Sequence, residues 1–341
     1  MNGLRLRILP PLSLLAILAM VTPAFASTAW YHGTHAGRDV ALHLVIDEGT
    51  AFVTYLEAPP LPGQALGRQV RLEGRVERDA EDVLGVRASD ETHVIDLEVD
   101  VDRYALGGAG RPDPLGSVRL SLRSVRDDAV IFEGALRGVG TSVERTVRLD
   151  DGSFDVTTRG PFFLVDPWRS LDLAPGMEDM AESVTLGLGV QKDRADVPNA
   201  TWWDERIVEI TTLTTDLVSA RTNVYSYTGG AHPNTWYATA TMHRREEGWR
   251  SVTLCEALTV LQRPCDEPTL RAYIVEALTD QGATWAVEGS MTGEEAWVLD
   301  AFTLTPQGVH FRYAPYLAGP YVQGTFDVRI PWNDAIFLTV P

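Results

Sequence analysis

Val40-Ala41-Leu42-His43-Leu44-Val45-Ile46 is a β-rich run, Asp47-Glu48-Gly49 then supplies a turn, and Ala51 to Leu56 reads as the strand returning beside it. Val70-Arg71-Leu72-Glu73-Gly74-Arg75-Val76 repeats apolar and polar residues with a period of two. His93 to Val101, Val118 to Val125 and Ala129 to Leu136 do the same. No window between Trp30 and Leu149 sustains a helical period, and the Gly- and Pro-rich segment Gly107 to Gly116 reads as a long loop. Residues 27–150 are therefore expected to form an all-β antiparallel meander, closed or rolled.

The texture changes after Asp150-Asp151-Gly152. Phe162 to Val165 is apolar and Ser183 to Val190 alternates. Ile207 to Leu217 and Arg221 to Tyr227 read as a hairpin pair, and Thr235 to His243 as a further strand. One helix is clear. Asp266 caps it, Pro268 lies in its first turn, Leu270, Ile274 and Leu278 recur every four residues, and Gly282 stops it. The chain closes with strands at Phe302 to Leu304, Val309 to Tyr313 and Asp327 to Ile330. The predicted class is α+β: an all-β domain at 27–150, then an α+β domain at 151–341 with a mainly antiparallel sheet and one or two helices.

Residues 1–26 read as a secretory signal peptide. Arg5 and Arg7 precede an apolar stretch from Ile8 to Met20, and Ala24-Phe25-Ala26 supplies a small-x-small cleavage site. The stretch is short for a membrane span and contains Pro10 and Pro11. Cleavage after Ala26 would place the mature protein in the periplasm or outside the cell. Loss of Arg5 and Arg7 would take the formal charge from −18 to −20. So acidic a chain is repelled by nucleic acid and by anionic membrane surfaces, and favours a basic partner if it has one; solubility alone is the plainer explanation. Cys255 and Cys265 are the only cysteines, and an oxidising compartment would pair them, closing a short loop worth roughly 2–3 kcal/mol.

Two strings stand out in the second half. The first is Tyr225-Ser226-Tyr227-Thr228-Gly229-Gly230-Ala231-His232-Pro233-Asn234. The second runs Phe302-x-Leu304-Thr305-Pro306-Gln307-Gly308-Val309-x-Phe311, then Tyr316-x-x-Gly319-Pro320-Tyr321-x-x-Gly324, and ends Ile330-Pro331-Trp332. Gly229 and Gly230 allow a sharp turn, and His232 and Asn234 can bond loop backbone. Tyr316, Pro320 and Tyr321 put rigid aromatic area on a proline-fixed loop, which suits recognition. The alternative is that the glycines and His232 stabilise a hairpin while the tyrosines fill core. If both strings serve binding, they should lie side by side as one aromatic surface.

Over roughly 184–340 these strings resemble the domain of unknown function shared by the lysozyme-sensing anti-sigma factor RsiV and the non-catalytic part of the deacetylase PdaC. The resemblance implies an exported envelope binding protein that recognises a basic wall-active protein such as a lysozyme, or peptidoglycan glycan. Its binding residues would be Ser226, Tyr227, Gly229, Gly230, His232, Asn234, Tyr316, Pro320 and Tyr321. The opening Trp30-Tyr31-His32-Gly33-Thr34 is similar to a β-domain common in bacterial envelope proteins. Control of a sigma factor does not carry over, since neither a sigma-binding segment nor a membrane helix is recognisable.

Signals of catalysis fail in turn. No phosphate-cradling glycine loop, His-Glu-x-x-His helix or Gly-x-Ser-x-Gly elbow occurs, and no motif calls for a cofactor or a metal. His32 and His35 read as a solvated loop pair. Thr325-Phe326-Asp327 opens like a deacetylase metal motif, but Val328 stands where a second Asp is needed. The competing function is a wall-glycan hydrolase using Glu294 with Glu295 or Asp300, although neighbouring carboxylates on a turn are more often merely solvated. A structural envelope role is the third possibility.

Overall fold

The β-rich run at residues 40–46 becomes one wall of a closed barrel in the computed structural model, which describes residues 27–47, 49–78, 84–99, 117–148, 155–171, 173, 203–227, 232–291 and 296–338. Eight strands follow one another as an antiparallel meander. They are β1 (Ser27–His35), β2 (Arg38–Asp47), β3 (Thr50–Glu57), β4 (Gln69–Arg78), β5 (Leu84–Ser89), β6 (His93–Val99), β7 (Ser117–Ser124) and β8 (Val130–Arg148). Pairing of β1 back onto β8, with a bulge between Trp30 and Tyr31, closes the ring. Every second residue faces inward: Val40, Leu42 and Leu44 from β2, Ala51, Val53 and Tyr55 from β3, Val118, Leu120 and Leu122 from β7. The signal-peptide segment, the Gly107 to Gly116 loop and the Ser183 to Val190 alternation lie outside the described residues.

Strand β8 has 19 residues, long enough to leave the barrel. Its first part pairs with β7, while Gly140 to Arg148 pairs with β9 (Asp155–Phe163). β9 runs parallel to β10 (Trp203–Leu213), and β11 (Leu217–Tyr227), β12 (Asn234–Arg245) and β13 (Gly248–Ser251) follow antiparallel. The sheet is thus continuous from β1 to β13. The β10–β11 hairpin turns at Thr214–Asp216, earlier than the sequence reading placed it. The Thr214 hydroxyl accepts the amides of Asp216 and Leu217, and this local turn assigns Leu217 to the second strand. His32 and His35 sit in strand β1, not in a loop, and His32 lies largely buried 3.3 Å from Asp39.

The outer face of the barrel is apolar where this sheet folds over it. Trp30, Ala41, Leu56 and Val139 pack with Phe163, Trp168, Ile210, Leu213 and Met242. A third core joins α1 (Leu254–Val260), α2 (Glu267–Asp280), α3 (Thr284–Val287) and a separate sheet of β14 (Phe302–Leu304), β15 (Gly308–Tyr313) and β16 (Phe326–Pro331). Helix α2 follows its sequence signals: Asp266 accepts from the Thr269 amide, Pro268 sits in the first turn, and Leu270, Ile274 and Leu278 are buried. Cys255 and Cys265 stand at disulfide distance, their Cα atoms 5.3 Å apart, tying α1 to the start of α2. The architecture is α+β with predominantly antiparallel sheets. No helix among the described residues is long and apolar enough to cross a membrane.

One residue of the barrel wall makes stability depend on pH. The His43 ring lies flat on Trp30, with centroids 4.1 Å apart, and burial followed by the Arg71 charge pushes its pKa down to about 4. The unfolded chain takes up that proton near pH 6.5 while the folded chain resists it, so stability is complete above that pH and falls as pH drops toward 4. Between pH 7 and 5 this one group should cost about 2 kcal/mol. Urea unfolding at both pH values, for the natural chain and for His43→Phe, measures it. An identical pH slope in the variant would refute the assignment.

Candidate functional site

The loop from β15 to β16 is made of small and rigid residues, and the fold anchors it from beneath. The Tyr316 amide donates to the Gly319 carbonyl and the Trp285 amide to the Ala318 carbonyl. Gln323 accepts from the Thr284 amide through Oε1 and donates to the Gly282 carbonyl through Nε2, pinning the loop to the start of α3. A Cβ on Gly319 would fall 2.1 Å from that same Oε1, so only glycine lets the glutamine reach. Tyr316 adopts a left-handed φ of 69°, which turns the loop outward. Its side chain is 55% exposed, and Leu317 and Val322 are exposed beside it.

Facing this loop is the end of the β11–β12 hairpin. The His232 ring stacks on Tyr321 at 3.8 Å and 20°, and Tyr316 leans against Tyr321 at 5.7 Å. The Tyr321 hydroxyl donates to the Pro233 carbonyl at 3.0 Å. The same carbonyl lies 3.0 Å from His232 Nδ1, which must carry the ring proton to bond it. Two strings about ninety residues apart in sequence are therefore one surface of His232, Tyr316 and Tyr321, with Pro320 setting its backbone.

The remaining nominated residues divide. Ser226 and Asn234 are register partners in the β11–β12 ladder, and Tyr227 pairs opposite Trp203. All three frame the hairpin that carries His232. Gly229 and Gly230 lie outside the described residues, as do Glu294 and Glu295. Asp300 offers its backbone carbonyl to the Thr239 hydroxyl at 2.8 Å. Asp327 bonds His310 at 2.8 Å and lies 3.3 Å from Arg312; these partners hold its carboxyl below the usual range against the effect of burial. No group of three or more His, Cys, Asp or Glu that could hold a metal occurs among the described residues. Leu317 and Val322, which widen the exposed patch, carried no signal in the sequence, because a single apolar loop residue looks alike whether covered or not.

Fold and surface define an α+β protein with a β-barrel and an aromatic display on an anchored loop. Residues 265–333 match the model of a family described as a protein of unknown function, DUF3298. The match includes the Pro320-Tyr321 string and stops short of the Gly229-to-Asn234 string. No curated protein matches the chain. Among solved structures, a DUF3298 family member from Bacteroides fragilis NCTC 9343 is 16% identical, with 57% of this chain and 89% of that one covered at a TM-score of 0.37. A DUF3298 family protein from Pseudomonas aeruginosa PAO1 is 16% identical, covering 64% and 92% at a TM-score of 0.36. Scores at that level do not define a shared whole-chain fold.

Proposed function

We propose that this chain is an exported cell-envelope binding protein whose His232–Tyr316–Tyr321 surface docks a basic, wall-active protein of the lysozyme kind. The observation carrying this reading is the convergence of rigid aromatic rings, one of them largely exposed, on a loop already held in place. Such a surface is ordered before its partner arrives, so binding it costs little conformational entropy. The formal charge of −18 would speed encounter with a cationic partner. The resemblance of the two strings to the domain of RsiV and PdaC supports the same partner class. Export, with cleavage after Ala26, belongs to this proposal. A wall glycan is the second reading, favoured by the Tyr316 face, since exposed aromatic rings also pack against sugars. The hydrolase alternative has its named pair, Glu294 and Glu295, outside the described residues.

The test is binding of lysozyme and of peptidoglycan to the natural chain, Tyr316→Ala and Tyr321→Ala, measured beside the thermal midpoint and a glycan-turnover assay. Each truncation is expected to weaken binding by about 2 kcal/mol, roughly thirtyfold, at an unchanged midpoint for Tyr316→Ala. Binding of peptidoglycan alone would select the glycan reading, and turnover would select the hydrolase. If both variants lose their midpoint, the tyrosines are structural and the docking surface is refuted.

A further inference from the structure

Away from the aromatic surface, a cleft of about 430 Å³ opens between the barrel and the two sheets of the second half. Its walls follow from strand periodicity. On β15 and β16, Val309, Phe311, Val328 and Ile330 face the core, which leaves His310, Arg312, Asp327 and Arg329 on the opposite face. Register places His310 opposite Arg329 and Arg312 opposite Asp327. The long sheet contributes Glu209 and Arg221, direct partners across β10 and β11, and the barrel contributes Arg71 from β4.

The charges in this cleft do not balance. Glu209 is shared by Arg71 and Arg221, and Asp327 by Arg312 and His310. Four guanidinium groups thus line the cleft with two carboxylates, in a chain whose formal charge is −18. Arg329 has no carboxylate within 4 Å among the described residues, although its charge helps to lower the pKa of Asp327, and it is exposed at the rim. Deeper in, Arg221 and Arg312 both lie over the Tyr237 ring, 5.8 and 4.7 Å from its centroid. An ion-pair network serving only to join the sheets would need no surplus of like charge. Crowded, partly desolvated cations are costly until an anion joins them. That cost is visible in Arg221, whose pKa is lowered by desolvation first and by Arg312 second, and in Arg71, lowered by desolvation and then by Arg221.

We propose that this cleft is a binding site for a small ligand bearing carboxylate or phosphate groups, gripped by Arg312 and Arg329. Guanidinium forks match the geometry of both oxyanions, and Gln69 and Gln307 offer neutral hydrogen bonds around them. The volume suits a small molecule and not a protein surface. This site is separate from the aromatic surface and does not rest on the docking proposal.

Calorimetric titration of the whole chain with citrate and with inorganic phosphate tests it, with glucose as an uncharged control. At least one anion is expected to bind and glucose is not; preference for citrate or phosphate identifies which oxyanion the site takes. Arg329→Gln, which removes an exposed side chain, should weaken binding about tenfold or more at an unchanged thermal midpoint. Arg312→Gln should do the same where it folds, while Tyr316→Ala should leave anion binding intact. Failure of both anions to bind, or equal binding by the natural chain and Arg329→Gln, overturns the proposal.

Discussion

Replacing Arg263 with alanine is expected to lower the free energy of unfolding by about 3–5 kcal/mol, among the largest single losses in the molecule. Its guanidinium is buried where the halves of the chain meet. It donates to the carbonyls of Trp332 and Phe337 through one nitrogen and to the Pro60 carbonyl, 203 residues away, through another. It also lies 4.8 Å from the centre of the Trp332 ring. Truncation deletes all of these bonds and leaves carbonyl groups with no donor in a buried seam. Arg263→Lys should recover part of the loss, because an ammonium keeps the charge but cannot span carbonyls on two sides. Urea denaturation of both variants is the measurement. A loss below about 1 kcal/mol for the alanine variant would show that the seam is held by its apolar contacts instead.

The second large effect lies in the barrel. Gly74→Val should cost about 3 kcal/mol or more, because a Cβ there would stand 2.1 Å from the Arg87 carbonyl oxygen and 2.4 Å from the Ala88 Cα. Both obstacles are backbone of the neighbouring strand β5, so no rotamer change relieves them; β4 and β5 would have to separate at the Gly74–Ala88 pair. The expected result is a lower thermal midpoint with ladder amides of β4 and β5 exchanging faster than in the natural chain. Unaltered exchange across this pair would mean the strands accommodate the side chain without opening.

Much of the molecule was legible from local pattern. The β-rich run at residues 40–46, its return at 51–56 and the period of two in 70–76, 93–101, 118–125 and 129–136 marked six of the barrel strands. Helix α2 declared itself through Asp266, Pro268 and its four-residue spacing. The shorter pieces did not. Helix α1 has seven residues, too few for a period to emerge, although Thr253 and Glu256 form a capping box that could have marked it. Strand β5 was not identified, since Leu84-Gly85-Val86-Arg87-Ala88-Ser89 offers only weak alternation among small residues.

The sites divide along the same line. His232, Tyr316 and Tyr321 could be nominated because aromatic, Gly and Pro residues cluster locally in each string, and the sequence by itself determined those candidates together with the strand periods, the helix and the acidic charge. The arginine cleft could not be nominated. Arg71, Arg221, Arg312 and Arg329 come from β4, β11, β15 and β16, and each alone reads as an outward polar residue in an alternating strand. Closure of the barrel by β1 on β8, the passage of β8 into the second sheet, and the reach of Arg263 to Pro60 were likewise decided by tertiary structure. The physical reason is range: hydrophobic period and capping act over a few residues and are written in the chain. Which outward faces meet depends on how the sheets fold over one another to cover Trp30, Leu56 and Ile210, an outcome shared by the whole core.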